Sequence, residues 1–291
     1  MELLAHLPEV KHRLLNKIPA DDYERERIAT IELEMLPYAV AAAQHSCLQV
    51  VRAQLRVVDE VFRNEGTLLG VFVMSPTQQR ELSFAIDTFL ESARRAQNAL
   101  VPYLSRAFEV SLPSSLSDVA NSMEKGKVTL PASISDILLG YWHTHGKRLK
   151  DFRDVSQHHS IVASDARVFV SEDGHRGLRL LLPSNPELKT TSKLVFGAPP
   201  VHAVPYVRNQ LLNFFATAYC LTRLILDLVP GDRRQVLTVF IREPLKLGTP
   251  VEGHRLFTEE QTQQAIISSI EQVSAKYESR IRPSAIGGAG V

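Results

Sequence analysis

The chain has 291 residues, of which 44% are hydrophobic and 22% charged, enough for a sizeable core and too apolar for wholesale disorder. Its 33 basic and 32 acidic residues leave a formal charge of +1. That balance excludes a chain that coats nucleic acid or an anionic membrane with its whole surface, so affinity for phosphate has to come from a local patch.

The N-terminus, MELLAHLPEVKHR, has Glu and His within its apolar stretch and no basic flank ahead of it, so no signal peptide is expected. Residues 21–64 form a long helical stretch in which Leu48, Val51, Leu55, Val58 and Phe62 recur at steps of three and four, one stripe of a helix. Pro37 places a kink or a break within it. Gly66 and Gly70 mark a connection, and Ser75-Pro76 opens a second long helix with Ser as N-cap and Pro at the first position. Along that helix Leu82, Ile86, Phe89, Ala93, Ala96, Leu100 and Tyr103 alternate spacings of four and three, so the two helices are expected to pack as an antiparallel hairpin.

Residues 111–133 read as a Ser-rich link with one short helix. Another helix runs over residues 133–159, with Ile134, Leu138, Trp142, Leu149 and Phe152 on its apolar face; Gly140 and Gly146 mark a bend or a tight contact. Residues 167–170 and 178–182 flank Glu172-Asp173-Gly174 and predict a β-hairpin. A third short strand is expected at residues 193–196, then a helix over about residues 206–229. That helix contains the most apolar window, yet Asn213, Arg223 and Asp227 within it favour a buried helix over a membrane span. Residues 235–242 fit a strand or a short buried helix, and residues 258–280 a last amphipathic helix capped by Thr258 and Gln261. The fold class expected is mainly α, a helical bundle with long antiparallel helices plus a small antiparallel β element. The bundle spans residues 1–165; residues 166–291 hold the β-hairpin region and the C-terminal helices, which can pack on the same bundle. Cys47 and Cys220 lie far apart in apolar surroundings, as reduced, buried thiols of a cytoplasmic protein would.

Charge and imidazole concentrate in one window, HTHGKRLKDFRDVSQHH, residues 143–159. It holds four of the ten histidines and four Lys or Arg against two Asp. Within it Arg153-Asp154-Val155-Ser156-Gln157-His158 resembles the Arg-x(4–6)-His motif of HEPN-domain proteins, with the polar Asp154 fitting the position after the Arg. His159 satisfies the same spacing. The resemblance covers roughly residues 25–165 and implies a compact α-helical bundle that dimerises, bringing two motifs together in a cleft. It further implies a metal-independent endoribonuclease, although scaffolding members of the family also exist. On that reading the candidate catalytic residues are Arg153, His158 and Asp154, with His159 as the alternate imidazole. The implied partners are RNA and a second copy of the chain, with no cofactor and no membrane.

The residue chemistry is coherent with this. A histidine titrates near neutral pH and can move the proton of a ribose 2′-hydroxyl, while a guanidinium fork can hold the phosphoryl oxygens as charge builds on them. Asp154 and His158 are one helical turn apart, so the carboxylate could orient the ring. Arg153 and His158 are about 140° apart around an ideal helix, and they converge only at a distorted or ending helix or across two chains. A second reading makes the same residues a solvated helix end with weak i,i+4 pairs. A metal reading uses His143, His145, Asp154, His158 and His159, but residues two apart on a helix point about 200° away from each other. The sequence has no phosphate-binding Gly-Lys-Ser/Thr loop and no Gly-x-Ser-x-Gly elbow, and GGAG at residues 287–290 has no helix after it. Trp142, the single tryptophan, is expected in the core rather than stacked on a base.

Overall fold

The structure, a computed structural model, describes residues 2–19, 21–65, 70–158, 163–170, 176–188 and 190–229, together with positions 261, 264 and 268. Helix α1 (Glu2–Leu15) leads to α2 (Tyr23–Glu65), strand β1 (Gly70–Val73) and α3 (Pro76–Phe108). Helices α4 (Leu116–Glu124) and α5 (Ala132–Tyr141) follow, then a π-helical turn (Trp142–Gly146) and α6 (Lys147–His158). Strands β2 (Ser164–Val170), β3 (Arg176–Leu182) and β4 (Val201–His202) precede α7 (Ala203–Leu228). The architecture is mainly α with a small antiparallel sheet, as the sequence pattern implies.

The two longest helices, α2 and α3, run antiparallel, as the pairings of Glu32 with Arg106, Ser46 with Ser92 and Glu60 with Gln78 show. Ser75 caps α3 in a reciprocal capping box: its hydroxyl accepts from the Gln78 N–H, and Gln78 accepts from the Ser75 N–H. All seven apolar positions expected on α3 are buried. On α2 the buried face is wider than the expected stripe. Val51 and Val58 are buried, but so are Cys47, Val50, Val57 and Val61, while Leu48, Leu55 and Phe62 are half-buried. The reason is that α2 packs against α7 as well as α3. Both thiols are free and buried, and burial pushes Cys47 up to about 12 and Cys220 to about 11.

Helix α7 lies against α1, α2, α3 and α5. Among the described residues it is the one helix long and apolar enough to cross a membrane, and most of its apolar window is buried inside the protein. It starts at Ala203, ahead of the expected boundary, because Pro205 sits in the first turn where no N–H is needed. At its other end Arg13 of α1 donates to the carbonyls of Leu226 and Val229, at 2.6 and 3.3 Å, and so satisfies the helix terminus.

The sheet has the order β1-β2-β3-β4, all antiparallel, with Val73 opposite Arg167 and Val168 opposite Leu178. The hairpin is where the β-forming residues place it, although its turn lies outside the described residues. The connection between α2 and α3 holds β1, which the sequence reading leaves as a link. The strand expected at residues 193–196 does not form. That segment loops back instead, with Val195 N–H donating to Asn185 Oδ1 and the Ser184 N–H donating to the Val195 carbonyl, and the partner of β3 is Val201–His202. The elements expected at residues 235–242 and 258–280 lie outside the described residues, save for Gln261, Gln264 and Ser268, which are helical.

Pro37 lies inside α2 without breaking it. A proline has no N–H for the carbonyl four residues back, here that of Leu33. The hydroxyl of Tyr103 on α3 supplies the missing donor, 2.7 Å from the Leu33 oxygen in the buried interior. One tyrosine thus repairs the proline's defect and pins α3 to α2. Tyr103→Phe should lower the unfolding free energy by about 1–3 kcal/mol, and by much less in a Pro37→Ala background, where the helix recovers its own bond. Chemical denaturation of the four species checks the coupling.

Candidate anion-binding cleft

Helix α3 buries most of its surface but keeps Asp87, Glu91 and Arg94 at spacings of four and three, one face of a helix. That face meets α6. Ser156 donates to Asp87 at 2.7 Å, and Glu91 accepts from Arg153 Nε at 2.9 Å and from Gln157 at 2.8 Å. The π-helical turn ahead of α6 adds one residue to the coil and so rotates everything after it by roughly 100°. Gly146 closes the turn, and a Cβ there would come within 2.9 Å of the Trp142 ring and 3.1 Å of Tyr141. The tight contact that the glycines suggest is therefore at Gly146.

A cleft of about 1230 Å³ opens beside this junction. It runs between the α1–α2 connection, the start of α2, the second half of α3, residues 110–114 and α6. Its lining carries seven cations (Lys17, Arg25, Arg94, Arg95, Arg106, Lys150, Arg153) against four carboxylates (Glu32, Glu91, Glu109, Asp154). Each carboxylate has a cation beside it: Glu32 takes Arg106, Glu91 takes Arg153, Glu109 takes Lys17 at 3.2 Å and Asp154 takes Lys150 at 2.7 Å. Arg25, Arg94 and Arg95 have no carboxylate partner among the described residues. The cleft thus carries three surplus positive charges in a protein whose formal charge is +1. No aromatic side chain among the described residues lines it.

Arg153 and Asp154, singled out from the sequence, both face this cleft. Arg153 is 28% exposed at its side chain, and its Nη1 also lies 3.6 Å from Asp154. Asp154 is therefore engaged by Lys150 and Arg153. His158 is the last residue of α6; its side chain, and the whole of His159, lie outside the described residues. The remaining histidines of the window stand apart from the cleft. His143 pairs with Glu124 at 3.0 Å, and His145 packs against the Tyr141 ring with centroids 6.2 Å apart. Trp142 is a core residue, 4% exposed.

Sequence reasoning missed Arg94 and Arg95. Arg94 stands between the core positions Ala93 and Ala96, so its pattern signals only an amphipathic helix. Its guanidinium lies 5.8 Å from the Trp142 ring centre, and Nη1 donates to Gln97 Oε1 at 2.9 Å. Gln97, fully buried, donates in turn to the Tyr141 hydroxyl and to the Gly146 carbonyl, at 2.8 and 3.4 Å. Burial lowers the Arg94 guanidinium and raises the Asp87 carboxyl, with Asp154 opposing the first shift and the Ser156 bond the second.

Against protein-family models, curated proteins and solved structures, the chain finds no match.

Burial also lowers His145 from its ordinary 6.5, which favours the neutral ring in the folded state. The unfolded chain then binds the extra proton, so stability is lost as pH falls below 6.5 and on through the lowered value of the folded ring. Unfolding midpoints followed from pH 7.5 to 5 should drop less in His145→Gln than in the wild type.

Proposed function

We propose that this chain is a HEPN-like RNA-binding protein that holds phosphodiesters in the cleft between α3 and α6 and cuts them without a metal. The observation that carries the reading is the surplus of positive charge in a cleft that Arg153 and Asp154 line. A cationic cleft without aromatic side chains favours contact with the RNA backbone over stacking on bases, so binding is sequence-tolerant and falls steeply with salt. In cleavage, the imidazole of His158, or of His159, takes the 2′-hydroxyl proton. The 2′-oxygen then bonds to phosphorus, the bond to the 5′-oxygen breaks, and that oxygen leaves with the proton that the imidazolium returns, directly or through water. Arg153 holds the phosphoryl oxygens, where charge builds. A cytoplasmic location fits the two free, buried thiols.

A second reading, binding without cleavage, draws on a specific feature: no imidazole among the described residues lines the cleft. Purified protein on bulk RNA, with and without EDTA, separates the two. Cleavage that resists EDTA and drops by at least about 100-fold in Arg153→Ala and in the double variant His158→Ala/His159→Ala supports the nuclease. Salt-sensitive binding with equal or no cleavage in all three proteins supports the second reading. Absence of binding sinks both.

The catalytic reading also calls for a second copy of the chain, because Arg153 and His158 stand five residues apart on one helix. A stripe of α2, Ile28, Ile31, Met35 and Tyr38, is exposed at helical spacing, and Met35 reaches the cleft. Glu24, Arg25, Glu26 and Arg27 precede it, alternating in sign, so the surface can pair with itself about a twofold axis. Light scattering should give a dimer for the wild type and a monomer for Ile31→Asp, with cleavage lost in the monomer.

A further inference from the structure

A guanidinium removed from water is costly unless an anion meets it. The protein shows how it deals with the problem at Arg13, which is 8% exposed, pairs with Glu9 and donates to the carbonyl end of α7. Arg94 is equally buried at 8%, yet its hydrogen bond goes to the neutral amide of Gln97. No carboxylate makes a direct ion pair with it: Asp154 acts on the guanidinium only at a distance, its close cations being Lys150 and Arg153, and Glu91 is taken by Arg153. What holds Arg94 is a rigid mount: the Trp142 ring on one side, and Gln97 anchored to the π-helical turn on the other. The guanidinium is fixed, partly desolvated and set in the wall of the cleft.

We propose that Arg94 is the principal anion-binding residue of the cleft, its fork held in advance to receive the oxygens of a phosphate group. The proposal rests on the RNA-binding reading and names a residue outside the Arg153–His158 motif. Fixed geometry is what makes the site selective. A guanidinium whose orientation is set before binding loses little rotamer freedom and can donate two parallel bonds to one phosphate. Gln97 and Gly146 act as positioning residues.

The test measures binding of a fluorescent single-stranded oligoribonucleotide across a salt series, with thermal midpoints taken alongside. Arg94→Met should weaken binding roughly tenfold and reduce the salt slope by about 1, while its midpoint without ligand stays close to the wild type's, because removing a buried cation that has no direct ion pair offsets the Gln97 oxygen left without its donor. Arg94→Lys should keep the salt slope and still lose affinity, since it retains the charge without the fork. Gly146→Ala, which crowds the mount, should weaken the wild type but leave Arg94→Met unchanged. Binding by Arg94→Met within twofold of the wild type, or a loss that comes only with a collapse of its midpoint, overturns the proposal while the cleft reading stands on Arg153→Ala. If the wild type fails to bind, both readings fall together.

Discussion

Helix α3 has to satisfy several neighbours at once, and the rest of the molecule follows from that constraint. It packs on α2, α6 and α7, so nearly every turn of it carries a buried residue. Apolar side chains meet the first and last of these helices, and burial of that kind supplies most of the driving force. Its most connected polar face meets α6, beside the separate polar pairs it makes with α2 at Gln78, Ser92 and Arg106. Asp87, Glu91 and Arg94 form a ladder whose rungs are Ser156, Arg153 with Gln157, and the Trp142 mount. A polar face on a central helix is tolerated only where each group finds a partner, and the partners here are what draw α6 into register.

That register depends on the π-helical turn. Without its extra residue the side chains of α6 would be rotated by roughly 100°, and Arg153 would leave both Glu91 and the cleft. Gly146 permits the turn because the Trp142 and Tyr141 rings and the Gln97 amide fill the space a side chain would need. A local irregularity of the helix therefore decides where a cation points, in the manner common to such turns at functional sites.

The electrostatics of the cleft follow from the same arrangement. Its exposed ion pairs, such as Lys17 with Glu109, add at most about 1 kcal/mol each to stability. Arg94 works in the opposite sense, as a buried cation without a carboxylate partner. On the proposed reading, keeping such a group trades some stability for a site ready to receive negative charge.

Much of the architecture is legible in the amino-acid order alone. The cap at Ser75, the alternating spacings along α3, the hairpin on either side of residues 172–174 and the cationic window around Arg153 all depend on groups within a few residues of one another, and such local rules act before any long-range contact exists. The sequence also singled out Arg153 and Asp154, though it left the choice between His158 and His159 open. Other features became visible only in the tertiary structure. These are the strands β1 and β4, the width of the buried face of α2, the hydroxyl of Tyr103 beneath Pro37, and the exposure of Arg94 to the cleft. Each joins residues far apart in the chain, and whether a charge is costly there depends on how much water its neighbours exclude. Periodicity sets which face of a helix is apolar; only packing decides which neighbour that face meets and which of its charges is left without a partner.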